Sequence, residues 1–169
     1  MIRKTNGHSL IALLRKSFQL TILASTFSCA ALFSTAIPAF AGEPVVLINT
    51  TRRPIYIRVF LSRVPNTAGS FLDLVQRGFY SGSNFHRIEN WCIQGGGPGG
   101  NPNGIFVNPN GQPRRLRLEI AGGLSHRGPG VVAMARTSDP NSASCQFYIT
   151  KSGAPYLDGK YAIFGSVVK

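Results

Sequence analysis

Between Ser83 and Gly97 the sequence reads SNFHRIENWCIQGGG, and His86, Arg87, Glu89, Cys92 and Gln94 are its side chains able to do chemistry. Cys145, Gln146 and Tyr148 stand in a second group, SCQFYI, and His126 opens HRGPG. These types do not add up to the common catalytic sets. A metal site needs several His, Cys or carboxylate ligands, and no standard ligand spacing is present. His86 and Glu89, three apart, project from opposite faces of a strand. A serine hydrolase would carry G-x-S-x-G on a strand-turn-helix, which is missing. Neither Cys92 nor Cys145 opens a predicted helix that would lower its thiol pKa. Both histidines read as hydrogen-bonded structural groups, and no metal is expected.

What remains is a cation among apolar residues. Arg87 stands between Phe85, Ile88, Trp91 and Ile93, although its hydration makes burial costly. It is therefore either a solvated charge on an edge strand or a group that works on a substrate. Because side chains alternate along a strand, Phe85 and Arg87 share a face, as do Cys92 with Gln94 and Gln146 with Tyr148. If those faces converge, they form an apolar groove with one fixed cation and two carboxamides. Cys145 shares a face with Phe147 and Ile149, which read as core, so a Cys92–Cys145 disulfide is not expected despite the pairing an exported chain invites.

The elements that must position these groups follow from periodicity. VVLIN (Val45 to Asn49) and IYIRVF (Ile55 to Phe60) flank TTRRP and read as a hairpin. Pro65 opens a helix in which Ala68, Phe71, Leu72 and Val75 fall at i, i+3, i+4 and i+7, with Gly78 after its end. Short strands are expected over Asn84 to Ile88, Trp91 to Gly95, Leu116 to Ile120, Val131 to Ala135, Gln146 to Thr150 and Tyr161 to Val167. Many short strands with one or two helices predict a mainly β fold, a closed or nearly closed antiparallel barrel. GGGPGGNPNGIFVNPNGQP, Gly95 to Pro113, is a turn-rich surface loop, lacking the Lys-Ser/Thr pair and helix start of a phosphate-binding loop.

The chain has 169 residues, 43% hydrophobic and 14% charged, which suits one sizeable core and excludes disorder. Residues 1–41 look like a leader: Arg3, Lys4, Arg15 and Lys16 precede an uncharged run from Phe18 to Ala41 that ends in Ala39-Phe40-Ala41. Cleavage after Ala41 would leave a domain of residues 42–169. An uncleaved membrane anchor and a lipoprotein through Cys29 are the alternatives, and all three place the domain outside the cytoplasm, in a periplasm. Taking the four leader cations from the total of 18 leaves 14 Lys and Arg against 6 acids. These charges are scattered except at Arg114, Arg115 and Arg117, where they alternate with Leu116, Leu118 and Ile120, so no nucleic-acid partner is expected.

At the residues named first, the chain resembles the cyclophilins, the cyclophilin-type peptidyl-prolyl cis-trans isomerases. The likeness covers Val45 to Val168 and rests on five motifs in order: FHRI at Phe85 to Ile88, IQGG at Ile93 to Gly96, HRGPGVVAMA at His126 to Ala135, SCQFYI at Ser144 to Ile149 and YLDGKYAIFG at Tyr156 to Gly165. ARTSDPNSAS, Ala135 to Ser144, looks like the bacterial exported branch. The resemblance implies a cyclophilin-like antiparallel β-barrel that works without cofactors, as a monomer, on proline-containing polypeptides. It implies that Arg87 acts on the substrate amide and that Gln94 and Gln146 position Arg87 and the peptide backbone. Trp91, Cys92, Tyr148 and Leu157 would wall a proline pocket, with Ala135 and Arg136 at the residue before proline. Tyr156 stands where many eukaryotic members have Trp, implying weak affinity for cyclosporin-like ligands, and Tyr161 stands where they have His.

Several positions depart from the family pattern. The turn between Ile88 and Trp91 is one residue short, Cys92 replaces a bulky Met, Tyr148 replaces a pocket Phe, and Arg136 stands where many members have Asn. Cyclophilins usually continue past F-G-x-V into a closing strand, so with the sequence ending at Lys169 the barrel is expected to lack it.

The implied chemistry suits these residues. An X-Pro amide resists rotation by about 18–20 kcal/mol through its partial double bond, and isomerisation neither makes nor breaks a bond. A catalyst needs only to bind the twisted amide better than either planar form. A permanently charged guanidinium steadied by carboxamides can donate to the proline nitrogen as resonance is lost. The competing expectation is a weakly active or inactive module that binds proline-containing segments.

Overall fold

The structure is a computed structural model that describes residues 2–5 and 42–168. Most of the expected leader, including its uncharged run, lies outside the described residues. A short N-terminal strand, Ile2–Thr5 (β1), pairs antiparallel with Val45–Ile48 (β2). β2 pairs in turn with Ile55–Val59 (β3), which is the hairpin read from VVLIN and IYIRVF. Thr50 ties its turn, accepting from the Arg52 and Arg53 amides and donating to the Arg53 carbonyl.

Helix Pro65–Gln76 (α1) follows, with proline in its first turn and Gly78 beyond it at φ +68°, a conformation glycine adopts without a Cβ penalty. No side chain at the N-terminal boundary caps it. Instead Glu119, some fifty residues on, accepts from the Thr67 amide at 2.8 Å and the Asn66 amide at 3.3 Å. Burial pushes the Glu119 carboxyl up, but these hydrogen bonds outweigh it and hold it below its usual range. The apolar stripe Ala68, Phe71, Leu72 and Val75 is buried as its spacing requires.

The remaining strands are Arg87–Ile88 (β4), Cys92–Gly95 (β5), Val131–Met134 (β6), Phe147–Thr150 (β7) and Ile163–Val167 (β8). Together the eight form one antiparallel sheet ordered β1-β2-β3-β8-β6-β7-β5-β4, curled into a half-barrel. Strand periodicity of two divides it cleanly. Val132, Met134, Phe147, Ile149 and Phe164 enter the main core with Phe71 and Tyr80. Their neighbours Ala133, Tyr148 and Ile163 form a second cluster with Cys92 and Leu157.

Two expected strands are corrected. Leu116 to Ile120 forms no ladder: Leu116 bridges only to Ala143, and the Leu118 amide donates to the Asn141 side chain at 3.0 Å. Leu116 and Leu118 still alternate in burial with Arg115 and Arg117, which explains the strand-like pattern, but Ile120 is 49% exposed. The strand expected from Asn84 shortens to Arg87–Ile88.

Candidate active site

The register lines up Arg87 with Gln94, Gln94 with Tyr148, and Tyr148 with Ala133, a cross-strand row over β4, β5, β7 and β6. Directly opposed residues of a sheet share a face, so the three faces inferred from alternation do converge. Arg87 donates from Nη1 to Gln94 Oε1 at 3.2 Å, and Gln94 Nε2 donates to Gln146 Oε1 at 3.0 Å. Gln146 Nε2 then donates to the Pro102 and Gly104 carbonyls, each at 2.9 Å. Every amide in this relay is oriented, because its oxygen faces a donor and its nitrogen an acceptor. Arg87 is about half exposed and also holds Glu89, Nε to Oε1 at 3.2 Å, while its Cζ lies 5.9 Å from the Trp91 ring centre.

Beside this cation lies an aromatic cluster. Trp91 meets Tyr148 edge to face at 5.5 Å, and Tyr148 meets Tyr161 at 6.0 Å. Cys92 and Leu157 are buried behind them and Ala135 packs against the same cluster. Tyr156, 60% exposed and 6.5 Å from Trp91, stands at the rim.

The pocket tyrosine is fixed from below. Tyr148 Oη lies 2.9 Å from His126 Nε2, and His126 Nδ1 lies 2.8 Å from Asp158 Oδ1. An ionised carboxylate only accepts, so Nδ1 carries the proton and Nε2 accepts from the Tyr148 hydroxyl. Ser125 and the His126 amide also donate to Asp158, and with the ring they draw its carboxyl down to about 2, the Ser125 hydroxyl contributing most. Burial, with the nearby Tyr161 and Cys92, pushes the Tyr148 phenol far up, so it stays a neutral donor.

Cys92 and Cys145 are free thiols in different clusters, and burial pushes both up, which suits neither as a thiolate nucleophile. His126 is hydrogen-bonded as expected. His86 departs from that reading, since both its ring nitrogens are buried without a partner among the described residues. Of the residues assigned from the sequence, Trp91, Cys92, Ala135, Tyr148, Leu157 and Tyr161 share this cluster, Tyr156 lies beside Trp91, Arg87, Gln94 and Gln146 form the relay, and Arg136 stacks over Tyr161. Glu89, the His126–Asp158 pair and the Pro102 and Gly104 carbonyls were not foreseen. Glu89 could have been found from its place beside Arg87, whereas a loop carbonyl leaves no trace in residue type.

The profile of the cyclophilin type peptidyl-prolyl cis-trans isomerases matches residues 45–169. The chain belongs to the cyclophilin family. Among its relatives is peptidyl-prolyl cis-trans isomerase-like 1 of Rhizopus delemar, 39% identical over 123 residues that span 72% of each chain. Another is peptidyl-prolyl cis-trans isomerase cypE of Dictyostelium discoideum, 37% identical over 126 residues, 74% of this chain and 78% of that one. A cyclophilin of Cryptosporidium parvum, crystallised in the presence of the dipeptide Ala-Pro, superposes with a TM-score of 0.67 at 35% identity, covering 74% of this chain and 78% of its own. These relatives are eukaryotic, so the cyclophilin family is established while the exported bacterial branch is not.

Proposed function

We propose that this domain is a peptidyl-prolyl cis-trans isomerase that acts on folding polypeptides outside the cytoplasm. One observation carries the reading: a guanidinium held by an oriented chain of two carboxamides beside an aromatic cluster. A proline ring enters between Trp91, Tyr148, Leu157 and Tyr161, where apolar burial binds cis and trans rings alike. Rotation of the preceding amide localises a lone pair on the proline nitrogen, and Arg87 donates to it. Gln94 keeps the cation from following solvent, so little reorganisation is needed as the amide twists. Gln146 and the backbone beside Ala135 hold the peptide on the far side.

Arg87→Ala should lower kcat/KM by about 10²–10³, the usual cost of removing one preorganised donor, with an unchanged circular dichroism spectrum. A chymotrypsin-coupled proline-peptide assay reads this, and an undiminished rate rejects the role of Arg87. Glu89, which offsets part of the Arg87 charge, favours a second reading in which turnover is weak and binding of proline segments dominates. Peptide shifts in NMR without cis–trans exchange would select it. Weak affinity for cyclosporin-like ligands is part of the proposal, with Tyr156 exposed at the rim.

The basic N-terminus, the uncharged run to Ala41 and ARTSDPNSAS support membership of the bacterial exported branch. Intact mass of the protein recovered from a periplasmic fraction should correspond to a chain starting at Gly42. A full-length mass in the cytoplasmic fraction alone would reject export.

A further inference from the structure

Arg136 lies just beyond β6 with its Cζ 4.4 Å over the Tyr161 ring, and it lines a hollow of about 220 Å³. That hollow is lined by Gln94, Gln146, Ser142, Ser144 and Thr137 among others, and no carboxylate lines it. The guanidinium is anchored through two of its three nitrogens. Nε donates to the Lys160 carbonyl at 3.0 Å, and Nη1 donates to the Thr137 and Ser138 carbonyls at 2.8 and 3.2 Å. Nη2 makes no hydrogen bond among the described residues, and no carboxylate there forms an ion pair with Arg136.

The contrast with the other arginines of the region is informative. Arg87 is partly neutralised by Glu89, and Arg114 by Asp73 at 2.7 Å. Arg136 meets only carbonyl dipoles, which fix its direction without cancelling its charge. Its side chain is half-buried, so ordering it costs a ligand nothing more and solvent screens it less than a free surface cation. A rigid, uncompensated guanidinium with two free N–H groups, beside a neutral polar hollow, is matched by a carboxylate.

We propose that Arg136 makes this site selective for proline-containing segments with an acidic side chain in the two residues before the proline. The inference rests on the isomerase reading above, in which Ala135 and Arg136 face the chain preceding the proline. A peptide lying from the aromatic cluster toward this hollow reaches Arg136, and a Glu or Asp side chain there accepts from Nη2. Neutral isosteres make the same backbone contacts without the charge-assisted bond.

The test uses the isosteric peptide pairs Ala-Glu-Pro-Phe against Ala-Gln-Pro-Phe, and Glu-Ala-Pro-Phe against Gln-Ala-Pro-Phe, in the chymotrypsin-coupled assay at low salt. In one of the two registers, kcat/KM should favour Glu by about fivefold or more, with the ratio falling as salt is raised. The ratio should collapse toward one in Arg136→Ala, persist in Arg136→Lys and reverse, Gln over Glu, in Arg136→Glu. A ratio near one in both registers of the unaltered protein overturns the proposal, as does a Glu preference that survives Arg136→Ala. If no peptide is turned over, the isomerase reading fails. The selectivity is then judged by NMR-measured Kd ratios for the same peptides, under the same criteria.

Discussion

The two faces of the curled sheet are built from the same strands and have opposite characters. On β7, Phe147 and Ile149 enter a core closed by α1, with Phe71 and Phe147 edge to face at 5.4 Å. Tyr148, between them, belongs to the second cluster, and its hydroxyl is tied to His126. The core face has little polar chemistry: the buried Tyr80 hydroxyl donates to the Cys145 carbonyl at 2.8 Å. The pocket face is organised around polar relays, Arg87–Gln94–Gln146 and Tyr148–His126–Asp158. Apolar packing is non-directional and holds the sheet's shape, while hydrogen bonds aim the few groups whose direction matters. Changes on the first face should therefore appear in stability, and changes on the second in turnover.

Adjacent residues break or sharpen that contrast most directly. Phe147→Ala should cost about 3–5 kcal/mol in urea unfolding, because the aromatic cluster cannot close the cavity, while kcat/KM per folded molecule stays within a few-fold. Tyr148→Phe should cost about 1–3 kcal/mol, since it leaves the buried His126 Nε2 without a donor, and should alter KM through a loosened pocket floor. Equal effects of the two variants on stability and turnover would show that the faces are not separable.

A smaller effect appears in acid. The Asp158 carboxyl titrates near 2 in the folded protein, below its ordinary 3.8, so the unfolded chain binds its proton first. Stability from this group is present above about pH 4 and is lost as pH falls toward 2. The urea midpoint should thus fall more steeply between pH 4 and pH 2 in the unaltered protein than in Asp158→Asn. Identical slopes would remove Asp158 from the pocket's support. Glu119 is also held below its usual range, so a shallow acid slope from the α1 terminus should persist in both proteins.

Much of the site was legible because strand alternation is a local property. Arg87, Gln94, Gln146 and Tyr148 were placed on shared faces from residue parity alone, and the register brings those faces together. The strand expected over Leu116 to Ile120 failed for a related reason. Alternating burial arises wherever an extended segment lies on a core, whether or not a neighbour supplies ladder hydrogen bonds, and here the Asn141 side chain takes that place for the Leu118 amide.

Residue order alone determined the periodic elements, the α1 boundaries at Pro65 and Gly78, the division of each strand into two faces, and the motifs that mark the family. Only the tertiary structure decided that Pro102 and Gly104 carbonyls terminate the carboxamide relay, that Asp158 reaches His126, that Glu119 caps a helix fifty residues away, and that Arg136 keeps one nitrogen free. The physical reason is range. Periodicity and turn chemistry act between neighbours along the chain, whereas a hydrogen bond to a loop carbonyl or an uncancelled charge depends on which remote segments folding brings within 3 Å.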